Sequence, residues 1–518
     1  MGEVKPDRVK AWTQGDKEKR NFTILQQIHS TRTLSGDGMT RTEKTDAEVV
    51  APNYKLRDLW AEFCQTTAIH GFNKITRRNR RFTFRGVLWS VAVCGATAFL
   101  IFNLMSEIGD YYSFPIGTKV TNKIRSTIEF PAVTICNRCT LNRSRLMSYP
   151  DLEAYFRDAS INERSSTVYN FADIVDGIMQ QSQSLEWWTN MSMDASSLFN
   201  LCYFGGESID CTSNFRPVFT DEGLCHTFNF NTSDIVNVKT SGNRANLIVN
   251  YDIGQRFYTF RENMAAGIKV LLHNSRHHPD ANPTVVMAAP GFSTYVAMHK
   301  SEYVYLPHPY MAFDEMECVD TNRPDFVNPL KYYSPYTYDH CFMECIQTKA
   351  YNLCGCVGPS DPRSAEPDIP ICSLEKQDTC YSISVREMFK NTTLEAECQC
   401  GTQCNFETFN AQVSSSAYPA EIWAETLNNN TNSETSEFFR NNFLELRVFY
   451  DKMMVTSIKQ HPQYTRATLF SNVGGQMGLC LGASILTVAE IGELLTFMFL
   501  YMMDRLRGRK AENRFNRW

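Results

Sequence analysis

The chain has 518 residues, 43% of them hydrophobic, with 18 cysteines, a formal net charge of -5 and a mean hydropathy of -0.33. With 26 glycines and 12% aromatic residues, the composition excludes collagen, a coiled coil and a wholly disordered chain. The modest net charge does not favour a nucleic-acid partner. The mean hydropathy is typical of a soluble protein, but an average over this length can conceal membrane spans.

The N-terminal region, residues 1–83, is predicted to be cytoplasmic. Residues 1–50 are polar and lack periodicity, so we expect them to be disordered. Apolar residues then follow at helical spacing, at Leu56, Leu59, Trp60 and Phe63. This spacing predicts a short amphipathic helix, and the pattern alone leaves open a helix that lies on the membrane surface.

Two apolar stretches are long enough to cross a membrane. Residues 86–106 carry no charge, and neither do residues 467–489, which are followed after Glu493 by a further apolar run. About 20 apolar residues cross the hydrocarbon core, so we predict transmembrane helices at 84–109 and 465–503. A buried core helix is the alternative for each stretch.

The flanking charges predict the orientation of these spans. Six basic residues precede the first span and six follow the second: Lys74, Arg77, Arg78, Arg80, Arg81 and Arg85, then Arg505, Arg507, Arg509, Lys510, Arg514 and Arg517. Cytoplasmic flanks are rich in Lys and Arg, so residues 110–464 should be extracellular and residues 504–518 a cytoplasmic tail. Glycosylation sequons fall in the extracellular segment at Asn142, Asn190, Asn231, Asn391 and Asn429. A sixth sequon, at Asn21, should stay unmodified in the cytoplasm.

Fifteen of the cysteines lie in the predicted extracellular segment, where disulfides persist. Zinc is the competing interpretation of the closely spaced ones, but their spacing and compartment do not suit it. Residues i and i+4 of a helix share a face, as do i and i+2 of a strand. This favours the nested pairs Cys341–Cys400, Cys345–Cys398, Cys354–Cys380, Cys356–Cys372 and Cys318–Cys404. The nesting is a geometric preference, because sequence alone cannot fix connectivity.

The second span has an unusual composition for a helix that faces lipid. Its small or polar residues are Gly474, Gly475, Gln476, Gly478, Gly482, Ser484 and Thr487. Glycines at every fourth position favour close packing, so tight helix dimerisation is one interpretation. However, Glu490 and Glu493 lie inside or at the edge of the apolar run, where an isolated charge is costly and usually faces water. Several copies around an axis would present rings of carboxylates, so a cation pore is the better account.

Six short motifs, in order along the chain, resemble those of the degenerin/epithelial sodium channel family. They are His70-Gly71, Phe130 to Asn137 (FPAVTICN), Gly267 to Val270, Ala289 to Phe292, Gly474 to Gly478 (GGQMG) and Gly482 to Thr487 (GASILT). With the cysteine ladder they extend over most of the chain. The chain is therefore identified as a member of this family, in its acid-sensing and peptide-gated branch. Within that branch it resembles invertebrate FMRFamide-type peptide-gated sodium channels.

The resemblance implies a membrane protein with two transmembrane helices and a large disulfide-rich α+β extracellular domain, built of palm, β-ball, finger, thumb and knuckle. The finger corresponds to residues 140–200 and the thumb to residues 318–404. It implies a homotrimeric, sodium-selective channel of the plasma membrane that amiloride blocks, with no cofactor and no metal site. By resemblance Cys136 pairs with Cys225 and Cys202 with Cys211, which leaves Cys139 over.

The resemblance also assigns roles in the pore. Gly482-Ala483-Ser484 corresponds to a selectivity belt at which the second helix breaks, and irregular backbone at that depth needs protein or a water-filled cavity around it. His70-Gly71 belongs to a re-entrant segment at the lower pore. Ser471 aligns with a position whose enlargement locks relatives open. Asn472 replaces a usually acidic neighbour, so one ring of charge is missing.

Three gating classes compete within the family. Proteolytic activation needs an Arg-x-x-Arg site, and residues 110–464 contain none. Acid gating in relatives uses carboxylates at the positions of Ser382 and Arg386, and a histidine where this chain has Pro115-Ile116. These departures weaken the prediction of a proton sensor but leave other acids, such as Asp314, Glu315 and Glu317.

A peptide gate is therefore the preferred prediction. The finger combines aromatic residues with carboxylates: Tyr149, Asp151, Glu153, Tyr155, Phe156, Asp158, Tyr169, Phe171, Asp173, Asp176, Trp187 and Trp188. These groups suit a small amidated cationic neuropeptide, through cation–π contacts and Arg–carboxylate pairs. The competing interpretation is that the aromatic residues form a core and the acids a solvated face.

Tyr111-Tyr112 above the first span, and Tyr310 ahead of Cys318, resemble the aromatic contact that couples the thumb to the membrane helix in this family. Plain packing is the alternative. Outside the family, an enzyme is not expected, because the sequence has no nucleophile elbow, zinc-binding helix motif or phosphate loop. A non-conducting glycosylated receptor or accessory subunit remains the alternative of another class.

Overall fold

The computed structural model describes residues 56–75, 84–149, 152, 156, 182–230, 233–243, 247–260, 265–280, 283–313, 316–391, 393–430 and 436–515. The predicted disorder of residues 1–50 lies outside these ranges. The chain divides into two units, Thr67–Ala489 and a second one made of Met1–Thr66 and Glu490–Trp518.

Fifteen α-helices occur in the described ranges. They are α1 (Leu56–Thr66), α2 (Phe72–Ile75), α3 (Phe84–Tyr112), α4 (Arg143–Leu146), α5 (Leu185–Met191), α6 (Ala195–Leu198), α7 (Cys211–Asn214), α8 (Tyr338–Cys354), α9 (Leu374–Lys376), α10 (Ser382–Phe389), α11 (Leu394–Cys398), α12 (Glu421–Asn430), α13 (Ser436–Asn442), α14 (Arg466–Leu481) and α15 (Ile485–Phe515). The predicted amphipathic helix is α1. The predicted cytoplasmic tail continues α15 as far as Phe515.

Fourteen strands are described, and most belong to two sheets. They are β1 (Ile116–Ile124), β2 (Ile128–Glu129), β3 (Ala132–Asn137), β4 (Phe199–Phe204), β5 (Glu207–Ile209), β6 (Phe215–Thr220), β7 (Gly223–Phe228), β8 (Asn237–Val238), β9 (Leu247–Asp252), β10 (Ile268–His273), β11 (Thr284–Ala288), β12 (Phe292–Val304), β13 (Asn405–Ala417) and β14 (Phe443–Pro462). A seven-stranded sheet has the order β13-β12-β14-β9-β4-β5, with β1 also paired to β14. A five-stranded sheet has the order β11-β10-β3-β7-β6.

The main hydrophobic core joins these two sheets. Its buried side chains include Val249 and Tyr450 from the seven-stranded sheet and Ile135 and Val270 from the five-stranded sheet. Phe130 lies against the ring of Tyr450 edge to face, with ring centroids 6.2 Å apart. Each such side chain contributes roughly 1.5–3 kcal/mol by leaving water, so the sheets form one stable body of α+β class.

Seven disulfides reinforce this body. They join Cys136–Cys225, Cys202–Cys211, Cys318–Cys404, Cys341–Cys400, Cys345–Cys398, Cys354–Cys380 and Cys356–Cys372. These are the same pairs that the nesting favours and the resemblance implies. Cys341 and Cys345 lie one turn apart on α8 and hold the segment that ends α11. Cys139 takes part in none of these bridges.

Two helices have the length and composition of membrane spans, Phe84–Tyr112 and the segment Ile485–Met503 of α15. Most apolar side chains of α3 are exposed, among them Phe84 at 85% and Phe102 at 72%. Such a surface requires lipid or partner subunits. The chain is thus a membrane protein with two transmembrane helices. The predicted second span, 465–503, consists of α14 and α15, separated by three residues.

Candidate functional site

The second span breaks at Gly482-Ala483-Ser484. Helix α14 ends at Leu481, and Gly482 adopts a left-handed conformation with φ of +64°. Its N–H donates to the carbonyl of Gly478 at 2.9 Å, and the N–H of Ala483 donates to the carbonyl of Met477 at 3.2 Å. Glycine is favoured at such a helix end because it has no Cβ to oppose a positive φ.

The start of α15 is capped within the same turn. The Thr487 hydroxyl accepts the N–H of Ser484 at 3.0 Å, and the Thr487 N–H donates to the Ser484 carbonyl at 3.0 Å. Thr487 is fully buried and Ala483 nearly so. Backbone groups without partners are costly in a bilayer. Because these groups are paired, the break is a stable feature of the span.

The His70-Gly71 segment lies directly against this break. The His70 N–H donates to the carbonyl of Leu481 at 2.9 Å. A Cβ on Gly482 would overlap the His70 ring, and one on Gly71 would lie 2.8 Å from Val93 Cγ2 of α3. Two motifs that are more than 400 residues apart in the sequence therefore meet. Both contacts depend on the absence of a side chain at glycine.

The outer half of α14 has an exposed face of small residues. Ser471, Gly475 and Gly478 are exposed, and their spacing of four and three residues places them on one side of the helix with Gly482. This face is available to a pore or to neighbouring copies. Asn472 lies beside it and is partly buried.

Asn472 contacts a residue that the sequence analysis did not single out. Its Nδ2 donates to Oε2 of Glu107 on α3 at 3.1 Å, and Nε2 of Gln476 donates to Oε1 of the same carboxylate at 3.3 Å. In the sequence, Glu107 directly follows the uncharged stretch 86–106. Helix α3 continues five residues beyond Glu107, to Tyr112. A carboxylate inside a helix, and not at its end, is the feature of the sequence that could have indicated a functional role.

The other predicted pore carboxylates, Glu490 and Glu493, belong to α15 in the second unit. Glu493 is exposed and Glu490 is partly buried. Three residues apart on a helix, they project from the same side. Their roles in a pore stay a prediction.

The predicted aromatic coupling runs through a residue that was not predicted. Phe114, just after α3, contacts Tyr310 with ring centroids 5.5 Å apart. Tyr112 lies behind Phe114 at 6.5 Å, and Tyr111 contacts Tyr112 at 5.4 Å. The described contacts thus correct the expectation that Tyr111-Tyr112 meets Tyr310 directly. Phe114 reaches Tyr310 because its backbone has a φ of +48°.

A cavity of about 340 Å³ lies between the β6–β7 turn and the thumb helices. Ser382 and Arg386, at the positions that carry acids in proton-gated relatives, both line it. Asp221 of the turn lines it as well, together with apolar side chains such as Met343 and Phe389. The cavity therefore combines a carboxylate, a guanidinium and apolar walls.

Carboxylates cluster behind this cavity. Glu222 is held by Lys269 at 2.6 Å and by Arg138 at 2.9 Å. Burial raises the pKa of Asp280 well above its usual value, and the charge of Asp221 raises it further. The pKa of Asp221 is raised too, by the protein that surrounds the turn and then by the Glu222 carboxylate. Asp280 and Asp221 thus take up protons in milder acid than ordinary aspartates do.

Histidines next to this cluster behave in the opposite way. Burial lowers the pKa of His273 to about 3 and the pKa values of His277 and His278 to about 4. Burial outweighs the nearby carboxylates, although Nδ1 of His278 lies 3.5 Å from Oδ2 of Asp280 and the charge of Glu407 acts to raise the pKa of His277. These three histidines therefore stay neutral in mild acid, and the carboxylates are the groups able to titrate there.

The predicted peptide site lies mostly outside the described residues. Asp151, Glu153, Tyr155, Asp158, Tyr169, Phe171, Asp173 and Asp176 belong to that part. Of the others, Phe156, Trp187 and Trp188 are buried in one hydrophobic cluster, and Tyr149 packs against it. These four rings form the finger core, so the expectation that they present faces to a ligand is replaced by the packing interpretation.

The predicted glycosylation sites differ in accessibility. Asn190 and Asn391 are exposed. Asn142 is 8% exposed, and its side chain caps α4 by accepting the N–H of Ser144 at 2.9 Å. Asn231 and the side chain of Asn429 lie outside the described part of the chain.

The sequence pattern of the family described as "Amiloride-sensitive sodium channel" matches residues 63–494. Acid-sensing ion channel 2 of Homo sapiens is 27% identical over 475 residues, covering 87% of this chain and 88% of that protein. Acid-sensing ion channel 4-B of Danio rerio is 26% identical over 447 residues, covering 83% and 74%. A cryo-EM structure of a proton-activated chloride channel aligns with a TM-score of 0.31 at 9% identity over 80% of this chain and 98% of that chain, a likeness too weak to build on.

Proposed function

Because the chain belongs to the amiloride-sensitive sodium channel family, a family of ion channels and not of enzymes, we propose that it forms a sodium-selective channel opened by extracellular acid. Channels of this family are membrane trimers, and a homotrimer of this chain is part of the proposal. Amiloride is the expected pore blocker and the plasma membrane the expected location. The relatives named above are acid-sensing channels, and this supports protons as the first stimulus to test.

The break at Gly482-Ala483-Ser484 supports the pore. Its small residues allow three copies to approach an axis closely, and its backbone oxygens offer ligands to a partly dehydrated ion. The partners of the break, His70-Gly71 and Thr487, hold it in place. Ser471 belongs to the same exposed face, where a larger side chain would wedge the helices apart.

The carboxylate pair Asp221 and Asp280 is the observation that carries acid gating. The pKa of Asp280 is raised by burial and by the charge of Asp221, and the pKa of Asp221 is raised by the surrounding protein and by Glu222, so protonation in mild acid removes the repulsion between the two aspartates. Asp221 also lines the cavity between the β6–β7 turn and the thumb helices. Protonation therefore lets the β6–β7 turn move closer to the β10–β11 loop beside this cavity, whose opposite wall is the thumb, and Tyr310, ahead of the thumb, contacts Phe114 just after the first membrane helix.

An FMRFamide-like neuropeptide is the second candidate stimulus. Ser382 and Arg386 occupy the positions of the expected acids, which removes part of the proton sensor of the relatives. The cavity that they line, about 340 Å³ with Asp221 and apolar walls, has room for one or two side chains of a small cationic peptide. In this case the ligand contacts the thumb side of the finger, where Trp188 of the finger core also lines the cavity.

Current recording from cells that express the chain separates these possibilities. We expect acid steps to evoke a sodium current that amiloride blocks. We expect no response to a panel of amidated peptides at neutral pH. Peptide-evoked current without an acid response would replace the proton by the neuropeptide. A chain at the cell surface that passes no current under either stimulus would favour the non-conducting receptor or accessory subunit.

A further inference from the structure

Glu107 is the only charged residue between Arg85 and Asp110 of α3, and the facing helix α14 has no charge after Arg466. It stands opposite Asn472, the seventh residue of α14 and therefore about 9 Å below the start of that helix. The carboxylate is partly buried between the two helices. It thus places one formal negative charge per subunit within the outer part of the membrane-spanning pair.

A carboxylate in this position is costly, because the bilayer does not replace its lost hydration. The amides of Asn472 and Gln476 each donate one hydrogen bond to it, at 3.1 and 3.3 Å. Two neutral amides hold and orient the carboxylate but leave its charge in place. Among the described residues, no Lys or Arg is recorded within ion-pair distance of Glu107, so its charge acts on the surroundings.

The surroundings include the exposed face of α14. Asn472 follows Ser471, and Gln476 follows Gly475, so both amides lie one position around the helix from that face. The carboxylate that they hold is set back behind the small residues and is not aimed at the axis. At a separation of about 10 Å, a unit charge in water without salt changes the local concentration of a monovalent cation about two-fold; salt screens each charge, but the proposed trimer contributes three of them.

We infer that Glu107 supplies the negative charge at the extracellular end of the pore, in place of an acid on α14, and that Asn472 and Gln476 position it. It is a conductance-determining residue contributed by the first membrane helix. The inference rests on the proposed sodium channel. The charge of the Glu107 carboxylate, and not its hydrogen bonds, determines the conductance.

The direct test is the single-channel conductance of Glu107→Gln. Glutamine keeps an acceptor oxygen for one amide and removes the charge, so we expect the sodium conductance to fall about two-fold, and by more in a bath of low ionic strength. Asp110→Asn is the matched control, because it removes a carboxylate one turn further along α3 that is exposed and has no recorded contact with α14. Its conductance should stay at the wild-type value.

The double variant Glu107→Gln with Asn472→Asp separates charge from hydrogen bonding. It moves the carboxylate to α14 and lets the glutamine amide donate to it, so both the charge and the contact remain. We expect the wild-type conductance to return. A conductance that stays low in the double variant would mean that the exact side-chain arrangement matters and not the charge, which would overturn the inference.

Unchanged conductance in Glu107→Gln at both ionic strengths would also overturn it. If this variant does not reach the surface alone, co-expression with wild-type subunits gives trimers with fewer carboxylates. We then expect at least one reduced conductance level. A single wild-type level, with variant subunits labelled at the surface, would contradict the inference. Absence of current in the wild type, by contrast, would contradict the proposed channel itself. It is thereby distinguishable from a failure of the Glu107 inference, which appears as a wild-type conductance in the Glu107→Gln variant.

Discussion

At the scale of single residues, Gly482 performs two tasks that a side chain would prevent. Its positive φ ends α14, and the space where a Cβ would stand is occupied by the His70 ring. A left-handed backbone costs an ordinary residue roughly 1 kcal/mol before any clash is counted. The helix break and the position of the His-Gly segment therefore depend on the same glycine.

Gly482→Ala should abolish most of the current while the subunit still reaches the surface. The new methyl group must displace His70, whose N–H is bonded to the Leu481 carbonyl at 2.9 Å, and this disturbs the break. Whole-cell current normalised to surface biotinylation measures the effect. Gly109→Ala on α3 is the control, since nothing lies within 4 Å of a Cβ there.

Removing the His70 ring gives the counter-test. The double variant with His70→Ala relieves the overlap but not the backbone strain, so a partial recovery of current is expected. Full current in the single alanine variant would show that neither the contact nor the left-handed turn is needed.

Asp280 determines the expected pH dependence at this scale. Its pKa is raised by burial and by Asp221, so as the pH falls it takes up its proton before an ordinary aspartate would. Asp280→Asn imitates the protonated form permanently. Half-activation should therefore move to a less acidic pH, and the response should become less steep because one titrating group is gone.

Acid dose–response curves measure this shift. Asp325→Asn is the matched control, because Asp325 forms only an exposed ion pair with Arg323 and such pairs contribute little. A shift of Asp280→Asn toward more acidic pH, or none at all, would remove this carboxylate from the gate.

At the scale of secondary-structure elements, the link between the thumb and α3 is a short chain of rings. Phe114 contacts Tyr310 on one side and Tyr112 on the other. An edge-to-face aromatic pair contributes about 0.5–1.5 kcal/mol beyond its buried area. This is enough to change a gating equilibrium by roughly two- to twelve-fold at 1.4 kcal/mol for each factor of ten.

We expect Phe114→Ala and Tyr310→Ala each to reduce the stimulus-evoked open probability within that range. The double variant should be little worse than either one, because both changes remove the same contact. Open probability from single-channel records is the measurement, and Tyr111→Ala, which removes only an outer ring, is the control. Strictly additive losses would show that the two rings act separately.

Local pattern predicted several elements, and the reason differs for each. The spacing of cysteines by four residues on a helix and by two on a strand favoured pairing Cys341 with Cys400 and Cys345 with Cys398, and the structure contains both disulfides. The break at Gly482, in contrast, was expected only from the resemblance, because three small residues in an apolar run do not by themselves end a helix.

What sequence could not provide is contact between distant segments. Phe114 lies two residues from the predicted tyrosines, and only its positive φ turns its ring toward Tyr310. Glu107 resembles an ordinary charge at the end of a span until α3 is seen to continue to Tyr112. In the finger, aromatic spacing fits a binding face and a core equally well, and burial of Phe156 and Trp188 favours the core.

At the scale of the whole molecule, short connections join the seven-stranded sheet of the larger unit to its membrane helices. Strand β1 begins four residues after α3 ends, and β14 ends four residues before α14 begins. The two strands pair along nine residues, from Ile116 with Pro462 to Ile124 with Met454. Just below this ladder, the N–H of Gln463 donates to the Pro115 carbonyl at 2.9 Å. Any displacement of this ladder therefore moves both helices together, which suits a gate operated from the extracellular side.

This arrangement requires the segment between the spans to be extracellular, and glycosylation tests it. Asn391 and Asn190 are exposed, so Asn391→Gln and Asn190→Gln should each remove one step of the mobility shift that an N-glycosidase produces on gels.

Asn142 is buried and caps α4 by accepting the N–H of Ser144. Its side chain would have to leave this buried position to carry a glycan on Nδ2. Asn142→Gln should therefore leave the shift unchanged, although its sequon is as good as the others. Asn21→Gln is the cytoplasmic control. A shift that survives removal of both exposed sites and disappears with Asn21 would invert the topology and with it the direction from which the channel is gated.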